Sequence, residues 1–266
     1  MIFISWPTWQ HQKNYSWHNR FGAFIFLTGK NTLINLNIIT GLMMEFRFFE
    51  IYRSVEYLEL LMEGILVSAG LTLFAGILGF ILAFILAAFI YWRVALLNVI
   101  CIAYVDFIRN TPLIVQLFFV TFGLPSLLGY VWPFWCHALL ALTINFSGYF
   151  AEILRSGYLS IPKGQLEAAA ALNMNRLVTF RKIILPQTII KMFPSLSSQF
   201  IFIFLTTGVI SEIGVNDLTH AGLFIDSRTF RSFEIFITLT ILYIILSLIF
   251  KISLELLFKN TLGKRG

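Results

Sequence analysis

Four strongly apolar stretches of the chain contain no Asp, Glu, Lys or Arg, and they are residues 64–92, 110–151, 192–211 and 235–250. A helix rises 1.5 Å per residue, so about 20 residues cross a hydrocarbon layer of about 30 Å. The first and third stretches each fit one crossing, and the fourth does so once its flanking residues are included. The second stretch spans 42 residues and is interrupted by Gly123, Pro125, Gly129 and Pro133, which predicts two crossings joined by a short reversal.

The composition agrees with this pattern, because 58% of the residues are hydrophobic and only 12% are charged. Soluble globular chains average about 25% charged residues. These values exclude a soluble enzyme, a disordered chain and a secreted disulfide scaffold. The two cysteines, Cys101 and Cys136, each lie in an apolar run and predict no metal or disulfide framework. The sequence therefore predicts an all-α integral membrane protein with about five transmembrane helices.

The distribution of charge sets the expected orientation. Residues 154–187 contain five Lys or Arg and one acid, and residues 251–266 contain four and one, whereas residues 44–63 contain two and five. Basic segments stay on the cytoplasmic side of a membrane. We therefore expect the N-terminus outside and the C-terminus in the cytoplasm, as an odd number of crossings requires. This arrangement accounts for most of the net charge of +6, so no nucleic-acid partner is predicted.

Residues 1–43 do not fit the pattern of crossings, since their longest apolar run, 21–27, is too short to span a bilayer. Met44 precedes a sequence that looks like an ordinary start. We interpret 1–43 as an N-terminal extension that is dispensable or results from a misassigned start. Residues 44–266 are then expected to form a single transmembrane domain with a cytoplasmic loop at 154–187.

The loop at 154–187 predicts two short helices. The stretch from Gln165 to Leu172 is rich in Ala, the best helix former, and Asn173 suits the left-handed position that ends a helix. Asn175 can cap a second, basic helix that is expected to stop before Pro186. By itself this pattern fits either a partner-binding helix pair or an amphipathic loop lying on anionic lipid.

Motifs in and around this loop resemble those of a known family. The run Glu167-Ala168-Ala169 followed by Leu172 and by Leu185-Pro186 is similar to the EAA loop of ABC importer permeases. Three flanking segments, 104–125, 145–157 and 230–234, resemble the polar amino acid branch, which includes histidine, glutamine, arginine and opine permeases. The resemblance covers about residues 60–262.

The resemblance implies the ABC importer permease fold and a set of partners. The loop would dock in a groove of a separate cytoplasmic ABC ATPase, which would bind ATP and Mg, while this chain would need no cofactor and would not be an enzyme. An extracytoplasmic solute-binding protein would deliver the solute at the bacterial cytoplasmic (inner) membrane. The residues expected to couple to the ATPase are Gly164, Glu167, Ala168, Ala169, Leu172, Asn173, Leu185 and Pro186.

Polar side chains at helical spacing predict a translocation path along two crossings. Polar groups that face lipid are costly, so these faces should point inward. The candidates are Asn145, Tyr149, Glu152, Ser195, Ser198 and Gln199. Interhelical hydrogen bonding is the alternative for this set. Glu152 could form an ion pair with Arg155 or act on a substrate amine, and Arg109 is expected to anchor its helix at the cytoplasmic surface.

One departure from the family suggests a heterodimer. Family members commonly carry Lys, often followed by Asp, in the fourth crossing, where this chain has Leu205-Thr206. The polar face around Gln199 is then expected to lack a cation for a substrate carboxylate. A second, related permease subunit would supply it, although a homodimer that uses Glu152 and backbone groups remains an alternative.

Two other classes of function compete with an importer subunit. An ion-coupled secondary transporter or channel would be expected to show paired intramembrane carboxylates or inverted repeats, and the sequence shows neither. A membrane-embedded enzyme would be expected to carry a motif such as HExxH or GxSxG, which the crossings do not contain. The sequence therefore favours the permease.

Overall fold

The computed structural model describes residues 48–261, and the secondary structure of this part is helical. The α-helices in chain order are α1 (Phe48–Tyr52), α2 (Val55–Trp92), α3 (Ala95–Arg109), α4 (Leu113–Phe118), α5 (Leu124–Leu128), α6 (Phe134–Leu159), α7 (Lys163–Ala171), α8 (Arg176–Thr179), α9 (Leu185–Thr206), α10 (Leu218–Thr229) and α11 (Ser232–Thr261). Two π-helical turns, Phe119–Gly123 and Phe180–Ile184, join α4 to α5 and α8 to α9. A 3₁₀-helix, Thr207–Ile213, follows α9. The extension predicted at 1–43 lies outside the described residues.

Four helical runs in the described part are long and apolar enough to cross a membrane, which confirms most of the predicted crossings. They are α2, α6, the run Arg176–Ile213 and α11. With 38 residues, α2 is about 57 Å long and so exceeds the bilayer core. Its first turn is capped by the Ser54 hydroxyl, 3.4 Å from the Tyr57 amide, and it ends at Arg93 in a left-handed conformation.

The fifth crossing differs from the prediction. Residues before the second apolar stretch form α3, which meets the helix Leu113–Leu128 at an angle of 106°. The bend falls at Thr111-Pro112, because Pro112 has no amide to donate and its ring disfavours helix at the preceding residue. A fifth crossing exists only if this bent pair is counted as one.

The reversal within the second apolar stretch falls at Gly129 and Pro133, the last two of the four residues that predicted it. Gly123 ends a π-helical turn, and Pro125 lies in the first turn of α5, where its missing amide does little harm. The chain turns instead after α5, where Gly129 has φ 70° and Pro133 precedes α6.

Small residues bring the long helices close together. Ala75, Ala83 and Ala87 of α2 are fully buried, and α6 is the main partner of α2. A Cβ atom on Gly157 of α6 would lie 2.5 Å from the Thr188 side chain of α9, so only glycine allows this approach. These contacts fix α6 between α2 and α9.

A buried carboxylate caps α10 beside a second apolar cluster, which is built on Ile51, Leu61 and Leu218. Asp217 is fully buried, and its Oδ1 accepts a hydrogen bond of 2.9 Å from the amide of His220. Burial raises the pKa of Asp217 from 3.8 to about 6, although backbone hydrogen bonds to the carboxylate oppose the rise.

We expect Asp217→Asn to stabilise the protein at neutral pH. The folded state binds this proton more tightly than the unfolded chain, so wild-type stability falls as pH rises from 3.8 through about 6. The full penalty above that pH is about 3 kcal/mol. Asn keeps the capping oxygen but carries no charge. Thermal unfolding in detergent should show a higher midpoint for Asp217→Asn above pH 6 and a weaker pH dependence. Exposed Asp106→Asn should retain the wild-type pH dependence, and an equal dependence in Asp217→Asn would contradict the assignment.

Candidate functional site: the loop 154–187 and the helix break

The end of α7 has the geometry predicted from the sequence. Asn173 has φ 53°, and the amides of Asn173 and Met174 donate to the carbonyls of Ala170 and Ala169 at 2.9 and 3.0 Å. These bonds satisfy carbonyls that a helix end would leave unpaired. Asn175 caps α8, since its side chain accepts a 2.8 Å bond from the amide of Val178. The left-handed Asn173 and the capping Asn175 are both confirmed.

We expect Asn173→Gly to be neutral or slightly stabilising and Asn173→Val to be destabilising. A β-branched side chain at φ 53° costs about 1–2 kcal/mol, whereas glycine has no Cβ penalty. The midpoint of thermal unfolding of the purified chain measures both effects. If Val and Gly gave equal midpoints, the left-handed conformation would not matter for stability.

The second arm of the loop does not stop before Pro186, contrary to the prediction. The π-helical turn Phe180–Ile184 ends with a bond from the amide of Leu185 to the carbonyl of Phe180, and α9 continues from there through Pro186. The wide turn shifts the bonding pattern immediately before the proline, which has no amide to donate. Gln187 then bonds Gln165 of α7 at 2.8 Å, so the two arms are tied together.

The loop presents an apolar surface, and one of the residues predicted to couple to the ATPase is buried instead of exposed. Leu172 and Leu177 are 76% and 63% exposed, and Glu167 and Ala168 are also exposed. Gly164 has open space around its Cβ position, while Leu185 and Pro186 are half-buried. Ala169 is only 2% exposed. It faces its own chain, because α7 must bury one side against the loop.

An aromatic cluster anchors this loop to the crossings. The Phe180 ring is buried, and its centroid lies 5.0 Å from Trp92, 5.2 Å from Tyr158 and 6.0 Å from Tyr91. Aromatic pairs at these distances add to the gain from burial. No short sequence motif predicts this cluster, because its members are up to 89 positions apart in the chain.

A second constellation surrounds the break between α3 and α4. The Gln116 amide donates to the carbonyls of Ile108 at 2.8 Å and Thr111 at 3.2 Å. Its oxygen accepts a 3.0 Å bond from Asn145 of α6. Gln116 and Asn145 are both buried. Carbonyls at the break thus find partners inside the protein, as a membrane requires. Gln116 lies in a segment that carried the family resemblance, but its role was not predicted.

The break borders a cavity of about 380 Å³, which we call the break cavity. Its polar wall includes Arg109, Thr111, Asn145, Tyr149 and Thr206. Arg109 was expected to anchor a helix at the cytoplasmic surface, and the path was expected to lack a cation. In the structure Arg109 lies against α6, with its guanidinium 5.9 Å from the Tyr149 ring centroid, so a cation lines the break cavity.

Glu152 is held by two arginines. Arg155 donates two bonds to its carboxylate, at 2.6 and 2.8 Å, and Arg109 lies 3.9 Å away. The side chains of Glu152 and Arg109 are 29% and 38% exposed. The ion pair with Arg155 is therefore present, and Arg109 links this pair to the break cavity.

The three remaining path candidates do not line the break cavity. Ser195 and Ser198 are exposed, and Gln199 is half-buried; the Nε2 atom of Gln199 is buried and has no hydrogen-bond partner among the described residues. Ser198 lines a different cavity, between α9 and α11. Over residues 48–261, the structure contains no cluster of His, Cys, Asp or Glu that could hold a metal ion.

Comparisons with known proteins indicate one family of membrane transport proteins. Residues 75–262 match the family described as "Binding-protein-dependent transport system inner membrane component". The chain is 36% identical to the octopine transport system permease protein OccM of Rhizobium radiobacter over 198 residues, which covers 71% of this chain and 80% of that protein. It is 36% identical to the glutamine transport system permease protein GlnP of Escherichia coli K12 over 160 residues, covering 59% and 73%.

Solved structures agree with these relatives. One chain from a crystal structure of an amino acid ABC transporter with histidines has 32% sequence identity and a TM-score of 0.72, covering 79% of this chain and 98% of that one. A chain of the inward-facing MetNI methionine ABC transporter has a TM-score of 0.67 at 19% identity, covering 78% of this chain and 98% of that one. At this identity the similarity concerns the fold alone.

Proposed function

Because this chain belongs to the family of binding-protein-dependent transport system inner membrane components, we propose that it is the permease subunit of an ATP-driven importer for polar amino acids. The observation that carries the proposal is the loop at 154–187. It combines the family's Glu-Ala-Ala run with an exposed Leu172 and a rigid aromatic anchor at Phe180.

The loop would bind a separate cytoplasmic ATPase, which holds ATP and Mg. Exposed leucines next to charged residues resemble the apolar core and polar rim of a protein interface. Phe180 packs on α2 and α6, so a displacement of the loop would move both crossings as a rigid body. The chain itself carries out no covalent step.

The break cavity would form part of the translocation path. Arg109 can bind a carboxylate, and Asn145, Tyr149 and Thr206 can exchange hydrogen bonds with a polar solute. A broken helix is tolerated at membrane depth where it lines a cavity. An extracytoplasmic binding protein would deliver the solute, with the N-terminus outside and the C-terminus cytoplasmic in the bacterial inner membrane. The family of this chain consists of inner membrane components of binding-protein-dependent transport systems.

A second permease bundle would complete the path, since Arg109 and Glu152 are both partly exposed in one chain. We propose that the partner is a related but different subunit. Leu205 is 48% exposed at the position where the family commonly carries Lys. Because Arg109 already supplies one cation to the path, the missing charge at Leu205 is the single observation that supports a different partner subunit.

Uptake of radiolabelled amino acids tests the proposed function. The gene would be expressed with an adjacent ATPase gene, binding-protein gene and second permease gene in a strain that lacks its own importers. ATP-dependent accumulation of glutamine, octopine or another polar amino acid is expected, and accumulation without the ATPase would contradict the proposal. Omitting the second permease should abolish uptake, and full activity without it would rule out an obligate heterodimer.

A further inference from the structure

A second large cavity, of about 560 Å³, lies between α9 and α11, and we call it the α9–α11 cavity. Its wall is formed by Pro194, Ser197, Ser198, Ile201, Lys251 and Glu255. It therefore contains a cation, an anion and two hydroxyl groups. None of these charged groups belongs to the break cavity or to the Glu152 ion pairs.

The two charged side chains lie level with a part of α9 that contains no charged residue. α9 and α11 run antiparallel, with Phe193 stacked on Phe258 at 3.9 Å and Phe200 lying 6.1 Å from Phe250. Lys251 follows Phe250 on α11 and is thus level with the part of α9 around Phe200, which belongs to the charge-free stretch 192–211. Charged groups at membrane depth face water-filled cavities or pair with other charges.

Lys251 and Glu255 do not neutralise each other. In the part of the chain that the structure describes, neither makes an ion pair or a hydrogen bond. As residues four apart on a helix, their Cβ atoms are about 5–6 Å apart. At that separation the Lys251 ammonium and the Glu255 carboxylate can contact the carboxylate and the ammonium of one α-amino acid.

The cavity wall lies on the same side of α9 as one residue of the break cavity. Ser198 lies one helical turn before Phe202, which lines the break cavity. The two residues therefore lie on one side of α9, with Ser198 in the wall of the α9–α11 cavity.

We propose that the α9–α11 cavity is a second subsite that binds the carboxylate of a zwitterionic amino acid through Lys251 and its ammonium through Glu255. This inference rests on the proposed function. A phosphatidylethanolamine headgroup carries the same opposite charges, so lipid is the other source of this chemistry. The position of Lys251, level with the charge-free stretch 192–211 of α9, favours the amino acid over a lipid headgroup.

Protection of a cysteine from modification tests the subsite directly. Ser198→Cys is placed in the full chain with Cys101→Ala and Cys136→Ala, which removes the two free cysteines of the described part. The protein is reconstituted in phosphatidylglycerol bilayers and treated with a sulfonated methanethiosulfonate reagent. Near-saturating L-glutamine, L-arginine or octopine should slow the modification about tenfold. Glutarate, which has no ammonium, should protect much less.

Three variants connect the protection to the charges. Lys251→Met and Glu255→Gln should each abolish it, and Lys251→Arg should restore it. Lys259→Met is the matched control, because Lys259 lies two turns further along α11 and outside the cavity wall. If Lys251→Met left protection intact, or if no amino acid protected Ser198→Cys, the subsite would be ruled out.

Lipid composition and uptake separate the remaining explanations. Slow modification in phosphatidylethanolamine bilayers, with no added effect of amino acid, would assign the cavity to lipid and overturn the proposal. Uptake by the complete transporter without amino acid protection of Ser198→Cys would overturn the subsite alone. An absence of ATP-dependent uptake would instead count against the proposed function.

Discussion

Leu172→Asp is expected to abolish ATPase binding while leaving the chain folded in the membrane. Leu172 is 76% exposed, so a charge there costs little within this chain. In an ATPase groove the same carboxylate would be desolvated without a partner, and losing an anchor residue typically costs 2 kcal/mol or more. We expect at least about a 30-fold loss of affinity. Co-purification of the tagged permease with its ATPase measures the loss.

Two variants make this result specific to the loop. Leu128→Asp is the matched control, because Leu128 is 70% exposed but lies at the other end of α6 from the loop, and it should keep the ATPase bound. Ala169→Asp should act differently from Leu172→Asp. Ala169 is buried in its own chain, so a charge there should lower the unfolding midpoint as well. Normal ATPase recovery with Leu172→Asp would show that the exposed leucine is not a docking residue.

Gln116→Leu is expected to destabilise the chain by about 3 kcal/mol and to abolish transport. The change leaves the carbonyls of Ile108 and Thr111 and the amide of Asn145 without the partner that Gln116 provides. Each buried polar group left unpaired costs about 1–3 kcal/mol. The break would then close or shift, and Arg109 would lose its position beside the cavity. Denaturant unfolding and uptake at equal membrane abundance measure the two effects.

Gln187→Leu is the matched control for this variant. Gln187 also bonds a side chain, that of Gln165 at 2.8 Å, but on the surface, where water replaces the lost partner. Its effect should stay within about 0.5 kcal/mol. If Gln116→Leu were equally mild, the buried amide would not be what holds the helix break.

The local features of this protein could be predicted from sequence because their causes are local. An uncharged apolar run that is long enough to span a bilayer is stable in lipid as a transmembrane helix. The crossings of α2, α6, α9 and α11 therefore follow from the amino-acid sequence. The left-handed conformation of Asn173 and the cap of Asn175 likewise depend on side chains within a few positions. Family motifs in the loop completed the functional interpretation.

The tertiary structure alone decided which polar groups meet. Proline at position 112 signals a break, but the 106° bend and the position of Arg109 beside Tyr149 depend on packing against α6. Similarly, helical spacing placed Asn145 and Ser198 on polar faces, yet Asn145 bonds Gln116 whereas Ser198 lines a cavity together with Lys251 of another helix. Periodicity reports which side of a helix is polar, and only the packing of helices distant in sequence determines what that side contacts.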